Sequence, residues 1–180
     1  MEKLAAAGRG LRRIAIVGPE STGKSSLAGQ LAAHHGEPWV AEYARAYLEG
    51  LGRPYQQEDL KAIAQGQLAL EAQAEASARR FLFCDTNLLV IQIWSEFVYG
   101  SCDPWILAHR GLERYALHLL TDIDLPWEPD PLREHPHRRE ELFALYHQAL
   151  EASGCPYAIV RGQQGARLEA ALKALGGLTS

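Results

Sequence analysis

Short apolar runs alternate with helical periodicities along the chain. Residues 13–17 form a β-branched run that stops at Gly18, the pattern of a strand buried on both faces. From Lys24 to about His34, the positions Leu27, Ala28, Leu31 and Ala32 recur at helical spacing, and Gly36 followed by Pro38 ends the helix. Residues 39–41 predict a second strand, followed by a short helix over 42–48 closed by Gly50 and Gly52. A long helix is predicted over 57–79, with Leu60, Ile63, Ala64 and Leu68 on one face. Residues 81–84 read as a third strand with Asp85 at its end, and residues 88–99 as a buried helix, apolar nearly all round. Residues 115–120 and 157–160 complete five strands. Between these two lie a proline-rich loop over 122–136 and a helix with Leu142, Phe143, Tyr146, Ala149 and Leu150 on one face. Residues 166–175 form the closing helix. Strands alternating with helices indicate an α/β fold, a parallel sheet covered on both sides.

At 180 residues the chain suits one core better than two, so a single domain over 13–180 is expected after a loose lead-in at 1–12. With 47% apolar and 22% charged residues, it has the balance of a folded globular protein. A net charge of −4 argues against broad nucleic-acid binding, which needs a basic face to release counterions. No apolar run has the length of a signal peptide or membrane span. Cys84, Cys102 and Cys155 contain no CxxC pair, which suggests neither a disulfide framework nor a zinc site and points to a reducing cytoplasm. A small-molecule partner fits these features better than nucleic acid or membrane, and the oligomeric state stays open.

One segment adds chemistry to this outline. Gly18-Pro19-Glu20-Ser21-Thr22-Gly23-Lys24-Ser25, with Ser26 following, fills each position of a phosphate-binding P-loop between a strand and a helix. Gly18 and Gly23 permit the backbone N–H groups to turn around a phosphate. Lys24 supplies charge to the β- and γ-phosphates of ATP, Ser25 offers a hydroxyl to Mg²⁺, and the helix aims its positive end at the anion. Short patterns of this kind also arise by chance, but here the flanking strand and helix are both present.

Asp85 ends an apolar strand where P-loop proteins place the acid that orients Mg²⁺ through water, although an aspartate there also suits capping of the next helix. Glu42 follows the second strand and is a candidate to take the proton from an attacking hydroxyl, or else a glutamate favoured by the helix dipole. Arg45, one turn on, either reaches substrate or lies on the surface. The loop after the fourth strand is too long and proline-stiffened for a simple connector and reads as a lid over about 122–139. Arg133, at its far end, is the lid arginine expected at the transferring phosphoryl. Arg138 and Arg139 are set against ion pairing with Glu134, Glu140 and Glu141, most of all for Arg139. The histidines form no metal pattern, and among the tryptophans only Trp127 lacks an obvious core to join.

The strings GPESTGKSSLA, WVAEYARAYL, FCDTNLLVIQIWSEFVYG and LLTDIDLPWEPDPLREHPHRREELF, in this order from about Arg13 to Ala171, resemble the ribosylnicotinamide kinase domain of NadR-type NAD-biosynthesis proteins, within the P-loop kinase superfamily. The resemblance implies a three-layer α/β/α fold with strand order 2-3-1-4-5, and phosphoryl transfer from ATP to the 5′-hydroxyl of nicotinamide riboside. Asn87 stands where the family often carries a second acid. The short stretch before the P-loop leaves no room for the nucleotidyltransferase domain of larger members, so the reaction is expected to stop at the mononucleotide. A P-loop kinase for another nucleoside or nucleotide is the nearest alternative. A slow ATP-hydrolysing switch is another, but it needs no acceptor pocket and no arginine-bearing lid.

Overall fold

The apolar runs pair edge to edge. In this computed structural model, which describes residues 10–163 and 165–178, they become β1 (Arg12–Val17), β2 (Trp39–Val40), β3 (Phe81–Asp85), β4 (Tyr115–Thr121) and β5 (Tyr157–Val160). All neighbouring strands are parallel, in the order β2-β3-β1-β4-β5, as the resemblance implies. Ile16 pairs with Asp85 and Val17 with Leu120, so the ends of β1, β3 and β4 reach one edge of the sheet together. Most of the lead-in expected over 1–12, residues 1–9, lies outside the described residues.

Alternation along the central strand builds the layers. Ile14 and Ile16 join Leu27 and Leu31 of α1 (Lys24–His35) and Ala171 and Leu175 of α7 (Gly165–Gly176) on one face. Ala15 and Val17 face Leu89 and Ile93 of α4 (Leu88–Tyr99) and Tyr146 and Leu150 of α6 (Arg139–Ser153) on the other. Each of these leucine, isoleucine and valine side chains, removed from water, contributes about 1.5–3 kcal/mol to stability before entropy is counted. A satellite core joins α2 (Tyr43–Leu51), α3 (Gln57–Glu75), α4 and α5 (Pro104–His109) through Ala44, Leu60, Ile63, Leu88 and Ile106.

Several boundaries differ from the sequence pattern for local reasons. Gly50 does not end α2; the helix runs through it and stops at Gly52, which takes φ 68° as its C-cap. The long helix ends at Glu75 rather than 79. Ser77 and Ala78 donate to the carbonyls of Ala74 and Glu75 in a tightened last turn, and the amides of Arg79 and Arg80 turn to the Glu37 carboxylate. Helix α4 is not buried all round, since Val98 and Tyr99 are exposed. Helix α5 was signalled by Asp103-Pro104: Asp103 accepts from Trp105 N at 2.7 Å and Pro104 occupies the first turn.

Candidate active site

At the carboxyl edge of the sheet the chain leaves β1 through a loop that only glycine permits at two positions. Gly18 has φ 141°, and a Cβ there would lie 2.5 Å from Thr121 Oγ1 and 2.9 Å from the Thr121 carbonyl. Gly23, with φ 76°, starts α1. Between them Ser21 is left-handed at φ 57°. The buried Thr22 hydroxyl donates to the Pro19 carbonyl at 2.7 Å and meets the Thr121 hydroxyl at 2.7 Å, which ties the loop to the end of β4. Lys24 Nζ lies over the loop, donating to the Pro19 carbonyl at 2.7 Å. Ser26 lines the same cleft.

Two carboxylates sit beside this loop. Ser25 donates to Asp85 Oδ2 at 2.5 Å, and the buried Asp85 Oδ1 makes no hydrogen bond of normal geometry. Burial pushes the Asp85 carboxyl above its ordinary range, while the Ser25 hydroxyl, the Lys24 charge and the Glu42 amide oppose the shift. Burial likewise raises Glu42, with Lys24 opposing and Asp85 reinforcing. Glu42 occupies the N-cap position of α2, yet its side chain makes no capping bond. Nor does Asp85 cap α4: Asn87 does so, its Oδ1 accepting from Leu89 N at 3.1 Å. Thr86, left-handed at φ 71°, makes the bend between the two. Together Ser25 and Asp85 form a hard-oxygen pair suited to a divalent cation that takes most of its ligands from water and phosphate.

The segment from Asp122 to Arg138 contains no helix or strand and docks across the P-loop. Glu128 N donates to Ser21 Oγ at 2.9 Å, and the amides of Glu134 and His135 donate to Glu20 Oε2 at 3.1 Å each. Arg45 pairs with Asp130 at 3.2 Å, so it joins α2 to this segment. Arg133 lines the cleft, with its guanidinium donating to the Glu128 carbonyl. Arg138 pairs with Glu141 and lies 4.1 Å from the Phe97 ring centroid. Arg139 departs from the ion pairing expected of it. Being the first residue of α6, it faces back across the loop and donates to the carbonyls of Ser21 and Leu125 at 3.2 and 2.9 Å, and its guanidinium lies 5.8 Å from the Trp127 ring.

Gly18, Glu20, Ser21, Thr22, Gly23, Lys24, Ser25, Ser26, Glu42 and Arg133 therefore line one cleft of about 590 Å³, and Asp85 joins it through Ser25. The far wall was not read from sequence. It contains Tyr55, Trp94 and Phe97 of α4, and Tyr146 of α6, from three separate parts of the chain. Trp94 Nε1 donates to Tyr55 Oη at 3.0 Å, and Tyr55 donates to Glu134 at 2.7 Å. The helical periodicity marks Tyr146 as a buried-face residue, but nothing local distinguishes an aromatic that lines a cleft from one that fills a core.

Residues 13–167 match the family described as AAA domain. Over 127 residues, 68% of this chain, the sequence is 32% identical to the trifunctional NAD biosynthesis/regulator protein NadR of Salmonella typhimurium. The chain spans about a third of that relative, the match covering 31% of its length. Among solved structures, a NadR protein in complex with NR superposes with a TM-score of 0.75 at 19% identity, covering 92% of this chain and 51% of that one. A deoxyadenosine kinase from M. mycoides gives a TM-score of 0.63 at 15% identity, covering 92% and 99%. These two structural likenesses show a shared fold. With its P-loop, its strand order and a family match across most of its length, the chain belongs to the AAA domain family and counts NadR among its relatives.

Proposed function

We propose that this chain transfers the γ-phosphoryl group of ATP to the ribose 5′-hydroxyl of nicotinamide riboside, giving nicotinamide mononucleotide. The observation that carries the reading is one continuous cleft. It holds a phosphate loop and a half-buried carboxylate of raised pKa at one end and the Tyr55 and Trp94 rings at the other. Kinship with NadR supports the substrate, and the structural likeness to a NadR complex with NR agrees with it.

In this reading residues 13–180 are one kinase domain and 122–139 its lid. The P-loop amides and Lys24 hold the β- and γ-phosphates, and the loop's backbone conformation is fixed in advance by Gly18, Gly23 and the Thr22–Thr121 contact. The 5′-oxygen of the riboside forms a bond to the γ-phosphorus as the bond to the β,γ-bridging oxygen breaks. The hydroxyl proton passes to Glu42, whose carboxylate has no hydrogen-bond partner among the described residues and whose raised pKa makes it a stronger base than an ordinary glutamate. Ser25 and, through water, Asp85 would hold Mg²⁺, which neutralises phosphate charge when bound. Arg133 approaches the equatorial phosphoryl oxygens from the lid. The cationic nicotinamide ring gains from the Tyr55 and Trp94 faces and from the nearby carboxylates, a preference that neutral pyrimidines share less.

The test is a competition among equal concentrations of nicotinamide riboside, cytidine, uridine and adenosine with ATP and Mg²⁺, read by product mass. Nicotinamide mononucleotide should dominate, and Glu42→Gln should lower both the rate and the preference. A neutral nucleotide as main product would make this a kinase for another nucleoside. ATP hydrolysis with no phosphorylated acceptor would favour a switch.

A further inference from the structure

We propose that Glu20 makes lid docking and nucleotide binding reinforce each other, an inference that rests on the kinase reading of the cleft. Glu20 is the third residue of a loop whose backbone donors serve a polyanion, so its carboxylate carries the same sign of charge as the ligand. Among the described residues, its carboxylate's hydrogen bonds are all to the docked segment: the amides of Glu134 and His135 donate to it, the closer pair at 3.1 Å each. The next residue holds the same segment at one further point, Ser21 Oγ accepting from Glu128 N at 2.9 Å, and the helix that follows the segment at another, Ser21 O accepting from Arg139 at 3.2 Å. Two successive P-loop residues thus contact the segment from its middle to its carboxyl end, and Tyr55 of the acceptor wall is bonded to Glu134.

The consequence follows from charge. With the segment docked, two amide dipoles take up the Glu20 charge, and charge-assisted bonds of this kind are among the stronger ones. With the segment lifted, Glu20 keeps no protein donor and its charge opposes the incoming phosphates. Nucleotide therefore binds the docked form better than the lifted one, and a ligand with unequal affinity for two forms shifts the balance between them. The relation is reciprocal, so an acceptor that needs the docked segment binds better once nucleotide is present, and nucleotide binds better with acceptor. Glu20 is here a positioning residue, which acts through the lid.

The experiment measures Kd for nicotinamide riboside with and without the non-hydrolysable analogue AMP-PNP by calorimetry, together with hydrogen exchange of the amides of residues 134 and 135. In the wild type the analogue should tighten the riboside about tenfold, within the usual range for coupled sites, and should raise protection of both amides. Glu20→Gln keeps an acceptor oxygen and loses the charge: amide protection without nucleotide should persist while the coupling ratio falls to within about twofold of unity. Glu20→Ala should lose both, with a melting temperature near wild type to show that the fold is kept. A wild-type ratio of one, or a Glu20→Gln ratio equal to wild type, overturns the proposal. If the riboside does not bind at all, the substrate assignment fails, and exchange with AMP-PNP alone still decides the role of Glu20: no rise in wild-type protection, or the same rise in Glu20→Gln, refutes it.

Discussion

Carboxylates at both ends of the sheet have a pKa raised by the same cause, yet they differ in chemistry. At the carboxyl end, Asp85 keeps Oδ1 without a normal hydrogen bond and Glu42 lines an open cleft beside Lys24. At the amino end, Glu71 of α3 is sealed, 1% exposed, and both its oxygens accept from the Tyr115 hydroxyl at 2.8 and 2.9 Å. Burial pushes Glu71 up to about 7, with Arg114 and Arg13 opposing and Glu75 reinforcing. Desolvation alone therefore does not mark a functional acid. What separates the two ends is not exposure, since Asp85 is as buried as Glu71 at 1%, but an oxygen left free to bind something else beside an open cleft.

Four substitutions test that contrast. Lys24→Ala should lower kcat about 10³-fold with the melting temperature within about 2 °C of wild type, because its charge matters most as the phosphoryl transfers. A variant that kept most of its turnover would remove the carboxyl end from the chemistry. Asp85→Asn should lower kcat about 10- to 100-fold and raise the Mg²⁺ requirement. Since burial disfavours the Asp85 charge, denaturant titration should find the variant no less stable than wild type. Glu71→Ala should do the reverse, with a loss of about 1–3 kcal/mol of stability as the buried Tyr115 hydroxyl loses its acceptor, and with kcat within about twofold of wild type. A large kcat defect in that variant would erase the distinction between the ends.

The smallest effect is a change of pH dependence. The folded protein retains the Glu71 proton up to about pH 7, whereas an ordinary glutamate has lost it near 4.5. This contribution to stability is full below the lower value and is lost as pH rises to the upper one. His118 works in the opposite sense: burial lowers it from 6.5 to about 4, so its neutral folded form gains stability as pH rises across that interval. Glu71→Gln removes only the first effect, and the variant should gain on wild type as pH rises from about 5 to about 8, read from denaturant midpoints. A constant difference across that range would place the Glu71 carboxyl at an ordinary pKa.

Much of this architecture was legible in the sequence because it is local. The phosphate loop depends on the backbone freedom of Gly18 and Gly23 and on a strand and helix contiguous with it, so eight consecutive residues carry the signal. The alternation of Ile14 and Ile16 with Ala15 and Val17 reports a strand covered on both faces wherever it is placed. Even the missed α5 had a local mark in Asp103-Pro104. Residue types also placed Asp85 and Glu42 after their strands.

Tertiary structure decided what depends on distant partners. Sequence left Asp85 as either metal acid or helix cap, and the fold gives the cap to Asn87, two residues on, which leaves the aspartate to Ser25. The long irregular segment after β4 was readable from its prolines and length, but its docking on Glu20 joins residues 114 positions apart, and Arg139 reaches Ser21 across 118. No periodicity encodes such pairings, because they arise when parallel strands bring their carboxyl ends to one edge. The aromatic wall has the same origin: Trp94 and Tyr146 read as ordinary helix positions along the chain, and no local pattern singles out Tyr55. The sequence by itself determined where phosphate can be held, while the packed sheet and its helices decided which acids are free and what closes over them.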